Sequence, residues 1–124
     1  MRMDREKTDG PIISAIGRAG FKVDDGYYTA LSISPERADG WTPPAFETLG
    51  EADVAALLAL DPPPEFLLLG TGSALRQPPL AFKRAVEARG FGIEAMDSRA
   101  AARAWAVLRG EGRWIVAALY PLEG

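Results

Sequence analysis

The chain has no histidine and no cysteine. The first absence removes the imidazole base of a Ser-His-Asp triad, and the second removes the thiolate nucleophile. Together they exclude the usual Cys/His zinc site and any disulfide framework. A carboxylate-only Mg²⁺ or Ca²⁺ site is chemically open, but the acidic residues form no Asp-x-Asp ladder. We therefore expect no metal and no cofactor. Lysine is scarce, with only Lys7, Lys22 and Lys83. The net charge is −3 and no recognition motif is visible, so no nucleic-acid partner is expected. Long apolar runs are also missing. The longest, Trp114 to Tyr120, is far short of the roughly 20 residues that span a bilayer. Residues 1–10 carry mixed charge without an apolar core, unlike a secretion signal. The expectation is a cytoplasmic protein without a transmembrane segment.

The 124 residues suit one domain with a sizeable core. The charge is uneven: residues 1–75 carry 6 basic and 12 acidic groups, whereas residues 76–113 carry 8 basic and 4 acidic groups. A basic half suits an acidic protein surface or an anionic ligand. Its plain reading is a pair of ordinary solvated helix faces.

Residues 1–10 read as a disordered tail and residues 11–124 as a single α/β domain. Ile12 to Ile16 is a short apolar segment. The segments Phe21-Lys22-Val23 and Tyr28 to Ile33 flank Asp24-Asp25-Gly26, the signature of an N-terminal β-hairpin. Residues 34–47 read as a loop pinned to the core by Trp41 and Phe46. Thr48 and Glu51 fit a capping box, with Val54, Leu57 and Leu58 at helical spacing behind it. Three prolines at 62–64 stop that helix.

Phe66-Leu67-Leu68-Leu69 is unbroken apolar sequence, the mark of a strand covered on both faces. It runs into Gly70-Thr71-Gly72-Ser73. Pro79 suits a helix start, Phe82, Ala85, Val86 and Arg89 mark one helix face, and Gly90 suits the residue after its end. A short strand at 92–96 follows. Asp97-Ser98 caps a third helix whose inner face is Ala101, Trp105 and Leu108. Arg99 and Arg103 lie one turn apart and, with Arg109, define a candidate basic partner surface. Gly110-Glu111-Gly112 turns into a last strand over 113–120, and Glu111 and Arg113 are placed to pair across that turn. The order of elements predicts an α/β fold: one three-layer domain, with a mixed central sheet, helices packed on it and the N-terminal hairpin.

The Gly-Thr-Gly loop is the strongest candidate site, because α/β sheets bind ligands where strands end. Its phosphate-loop reading is poor. No Gly-Lys pair follows at Walker spacing, and Leu75 stands where a dinucleotide motif needs glycine. The plain reading is that these glycines allow a tight turn and close packing. The functional reading is a ligand or partner site made of Gly70, Thr71, Gly72, Ser73, Asp97, Ser98, Glu111 and Arg113. It requires the last two to face the loop.

Two signatures carry a resemblance. One is Phe66 to Gly72. The other joins Gly92 to Ser98, Ala101 to Leu108, Glu111-Gly112-Arg113 and Ala117-Ala118-Leu119. Together they resemble the small α/β family of the mitochondrial complex I assembly factor 3, over roughly Gly10 to Leu122. The resemblance implies a three-layer fold whose mixed sheet has one antiparallel strand. It implies no established enzymatic activity, and it implies protein contacts that help assemble the NADH:ubiquinone oxidoreductase. One departure stands out. Family members often read Thr-Tyr/Phe-Asn where this chain has Ala104-Trp105-Ala106, so a site relying on that Asn is altered here. The expected function is a non-enzymatic adaptor or assembly factor with a protein partner. The alternative is a small-molecule-binding domain or weak enzyme at the Gly-Thr-Gly edge.

Overall fold

The computed structural model describes residues 10–18 and 20–123. The tail expected over 1–10 thus lies outside the described residues, except for Gly10. That glycine has φ +87°, and a β-carbon there would stand 1.8 Å from the Pro35 carbonyl oxygen.

The strands are β1 (Ile13–Gly17), β2 (Gly20–Val23), β3 (Gly26–Tyr28), β4 (Leu31–Ile33), β5 (Ala38–Gly40), β6 (Phe66–Gly70), β7 (Gly92–Met96) and β8 (Val116–Leu119). The helices are α1 (Ala55–Leu58), α2 (Leu80–Ala88) and α3 (Ser98–Gly110), with 3-10 turns at Phe46–Thr48 and Glu51–Val54. A central sheet has the order β5-β4-β8-β6-β7, and a smaller antiparallel sheet has the order β1-β2-β3. In the central sheet β6 pairs in parallel with β7 and β8, whereas β4 runs antiparallel to its neighbours β5 and β8. This is the mixed α/β architecture read from the sequence.

Period-two alternation divides the core between the sheet's two faces. Leu68, Ala117 and Leu119 point to one face, where Leu31, Ile33, Ala101 and Trp105 complete a cluster with Phe21 and Val23 of the small sheet. Leu67, Leu69, Val116 and Ala118 point to the other, against Val54, Leu57, Phe82 and Val86. The unbroken Leu67-Leu68-Leu69 run is therefore buried from both sides. Trp105 is fully buried, and its indole N–H donates to the Pro11 carbonyl at 3.3 Å. Burial of such a ring is worth about 2–3 kcal/mol, and the hydrogen bond removes the penalty of hiding its polar end.

Several expectations change. The N-terminal hairpin gains a strand and becomes a three-stranded sheet. Its turn is at Asp24, which has φ 52°, and Asp25. The strand expected over 28–33 breaks at Thr29-Ala30. Tyr28 pairs with Phe21 in the small sheet, while Leu31 pairs with Leu119 in the central one. The chain has to change sheets there, and the Ala30 carbonyl turns to accept from Trp41 N at 3.1 Å.

The expected loop contains β5. The Ser34 hydroxyl accepts from the amides of Glu36 and Arg37, which closes the turn and returns the chain along β4. The capping box is not Thr48–Glu51. Asp53 instead accepts from Gly50 N at 2.8 Å, Thr48 Oγ1 donates to the Ala45 carbonyl, and Glu51 pairs with Arg89. Arg89 is accordingly exposed rather than on the inner face of α2.

Candidate functional site

The Gly-Thr-Gly loop leaves the C-terminal end of β6 and is held from three sides. Gly70 O accepts from Tyr120 N at 2.9 Å, and Thr71 N donates to Met96 O at 2.8 Å. Gly72 N donates to Ser98 Oγ at 2.9 Å, and Ser98 N donates to Gly72 O at 2.8 Å. Ser98 Oγ in turn donates to the Tyr120 carbonyl at 2.8 Å. One hydroxyl thus joins the ends of β6 and β8 to the first turn of α3. Two glycines permit this closeness. A β-carbon on Gly70 would lie 2.7 Å from Leu119 Cδ2 and 2.8 Å from Ser98 Oγ. Gly72 has φ +102°, a conformation that favours glycine.

Thr71 is fully buried. Its hydroxyl donates to Ala74 O at 2.6 Å and accepts from Arg76 N at 3.1 Å. The Arg76 guanidinium donates through Nε and Nη2 to the Thr71 carbonyl at 3.2 and 3.0 Å. The same guanidinium stacks over Phe46, 4.1 Å from the ring centroid. The sequence reading missed Arg76, Phe46 and Tyr120 at this edge. The available signals were the basic residue closing the glycine loop and the aromatic at the end of the last apolar run. Tyr120 packs edge-on against Trp41 and Phe46, with centroids 5.2 and 5.3 Å away, so both aromatics do pin their loop. Its hydroxyl donates to the Pro44 carbonyl at 2.9 Å. Desolvation, helped by the nearby Asp53 carboxylate, pushes the Tyr120 phenol up to about 12.

The eight proposed site residues separate into two groups. Gly70, Thr71, Gly72, Ser73, Asp97 and Ser98 gather at the C-terminal edge of the parallel strands. Asp97 is the helix cap, with Oδ1 accepting from Ala100 N at 2.9 Å, while Ser98 is the buried strut just described. Glu111 and Arg113 lie at the far end of α3, roughly 20 Å of helix away. They do not face the loop and do not pair with each other. Gly112, at φ +77°, turns the chain so that Arg113 Nε donates to Glu65 Oε1 at 2.7 Å at the start of β6. Glu65 also accepts from Trp114 N at 3.0 Å. That backbone bond first, and Arg113 second, hold its carboxyl below the usual range.

The basic surface also separates. Arg99 and Arg103 are exposed, as expected. Arg109 is buried, and its Nη1 donates to the Arg113 carbonyl at 2.6 Å. It braces the turn after α3 because the helical repeat carries it to the inner side, together with Ala101, Ala102 and Trp105.

Hollows also lie away from the loop. One of about 350 Å³ is framed by Ser32, Ser34 and Asp39 on one side and Leu57, Leu60 and Asp61 on the other. Its cation, Arg37, is paired with Asp39 through two bonds of 2.8 and 2.7 Å. A groove of about 320 Å³ runs between β1 and α3 beside Arg99 and Arg103. Among the described residues no cluster of acidic groups is arranged to hold a metal, and no helix is long and apolar enough to cross a membrane.

The profile of a family described as a protein of unknown function (DUF498/DUF598) matches residues 13–120. The chain belongs to the DUF498/DUF598 family. An uncharacterised protein of Rhodobacter capsulatus is 38% identical over 113 residues, 90% of this chain and 86% of that one. Two Bordetella structures share the fold seen here. The protein from Bordetella parapertussis has a TM-score of 0.79 and 32% identity, over 92% of this chain and 98% of its own. The protein from Bordetella pertussis, a Mth938-like domain, has a TM-score of 0.79 and 26% identity, over 99% and 94%. A Bartonella henselae protein described as an outer membrane protein has the same fold at 24% identity, with a TM-score of 0.79 over 92% and 97%.

Proposed function

We propose that this chain is a non-enzymatic cytoplasmic adaptor or assembly factor that acts on respiratory complex I through protein contacts. The observation that carries this reading is the closed state of the Gly-Thr-Gly edge. The amides of Thr71, Gly72, Arg76 and Ser98 already donate within the protein. An anion cradle needs such amides free and aimed outward. The glycines therefore serve packing, and the alternative of a small-molecule site or weak enzyme at this edge has less support. Separation of Glu111 and Arg113 from the loop weakens it further. The two signatures that resemble complex I assembly factor 3 supply the partner class. Exposed Arg99 and Arg103, within an otherwise acidic chain, supply a surface for it.

Affinity purification of the tagged chain from its own cells, with fractionation, tests this reading. The expected outcome is recovery in the soluble fraction together with complex I subunits. Recovery without them, or enrichment in the outer membrane, would overturn it.

A further inference from the structure

β1 is an outer strand of the small sheet, paired with β2 on one side and, among the described residues, with no strand on the other. Such an edge presents backbone donors and acceptors to any extended segment beside it. The groove between this edge and α3 is lined by β1 from Ile13 to Ile16 and by Arg99, Ala102, Arg103 and Ala106. The two alanines keep its helical wall low. The two arginines form its rim and, among the described residues, bond to no carboxylate.

The spacing of the rim fits an extended chain. Arg99 and Arg103 are four residues apart on a helix, a rise of about 6 Å. Side chains at alternate positions of a β-strand share one face and are about 6.6 Å apart. Two carboxylates separated by one residue therefore match the two guanidiniums while the backbone between them lies along β1.

We infer that this groove binds an extended acidic segment of a partner protein, which adds to β1 as a fourth strand and places an acidic-x-acidic pair on Arg99 and Arg103. The inference rests on the adaptor reading in one respect, that the partner is a protein. A free anion would use the arginines alone and leave both the strand edge and most of the groove empty. An extended segment uses all three.

The probe is a fluorescent peptide of about ten residues, with Glu-Val-Glu at the centre of a β-branched stretch, titrated with the full chain by anisotropy. Two further peptides carry N-methyl groups on alternate backbone amides, one in each register. Amides of one register face the protein strand and those of the other face away, so only one methylated peptide should lose affinity. We expect that loss to be about tenfold, and a similar loss for R99E/R103E and for a Lys-Val-Lys peptide. The melting temperature of the double variant should match the parent. Equal binding of both methylated peptides would overturn strand addition. Undiminished binding to R99E/R103E would overturn the carboxylate pairing. Complete competition by millimolar inorganic phosphate would assign the site to a free anion. Concentration-dependent self-association that blocks the peptide would assign it to a second copy. Peptide binding without recovery of complex I subunits would leave this groove standing and remove the assembly-factor reading, and the reverse result would do the opposite.

Discussion

The hydroxyl oxygen of Ser98 lies 2.9 Å from the amide nitrogen of Gly72 and accepts its proton. The two residues are 26 apart in sequence, and their bond fastens the glycine loop of β6 to the start of α3. Ser98 has no exposure, so water cannot replace its hydroxyl without a rearrangement.

Ser98→Ala should therefore leave the Gly72 amide unsatisfied and deprive the Tyr120 carbonyl of its donor. The expected cost is about 2–3 kcal/mol, near the upper end for a buried polar group losing its partner. Denaturant unfolding measures it. Ser98→Thr is not a rescue, because Ser98 already crowds the space above Gly70.

The two loop glycines should fail differently. Gly72→Val places a β-branched residue at positive φ and should cost about 1–3 kcal/mol. Gly70→Ala has ordinary backbone geometry but drives a methyl into Leu119 and Ser98, and should cost about 1–3 kcal/mol through overpacking. An unchanged melting temperature for Gly72→Val would mean that the loop is free to move. Combining Gly70→Ala with Leu119→Val should recover part of the Gly70→Ala loss, since the first clash is with the Leu119 side chain, whereas no such partner exists for a strained φ.

Tyr120 gives the protein an alkaline limit. Its phenol is raised to about 12 in the fold, against 10 when unfolded. The sign follows from linkage: the stabilisation is complete below pH 10 and is lost as pH rises from about 10 to about 12, because the unfolded phenol ionises first. Tyr120→Phe should be less stable at neutral pH, having lost the bond to Pro44, and should show a flatter decline over that window. Melting temperatures of both proteins from pH 7 upward provide the comparison.

The exposed arginines should matter for partners and not for folding. R99E/R103E should move stability by only about 0.5 kcal/mol, as expected for an exposed helix face, while abolishing partner recovery from cells. Arg109→Glu should behave in the opposite way and unfold the C-terminal end of α3, because this residue is buried. If R99E/R103E and Arg109→Glu both lose the partner with unchanged melting temperatures, Arg109 is not the brace described here.

The sequence by itself determined the layered α/β class, the doubly buried β6, and the helix bounds at Asp97 and Gly90. These follow from local rules: unbroken apolar runs, caps, and glycine where other residues are strained. It did not reveal β5, since Asp39 and Gly40 are poor strand formers and the strand exists only because Ser34 closes a turn beside β4. It also joined Tyr28 to Leu31 in one strand, because periodicity carries no record of which sheet a strand enters.

The candidate site shows the same division. Gly70 to Ser73, Asp97 and Ser98 are neighbours because β6 and β7 are parallel and both end at one edge. Glu111 and Arg113 are not, because α3 runs back along the sheet and places its end at the opposite edge. By sequence Arg109 extends the basic surface of Arg99 and Arg103 into the last turn of α3, and the helical repeat instead carries it inward beside Trp105. Which polar groups are spent inside the protein and which remain for a partner was decided by tertiary contacts alone: Ser98 to Gly72, Arg76 to Thr71 and Arg113 to Glu65 each join residues whose proximity exists only after the sheet has formed or the loop has closed.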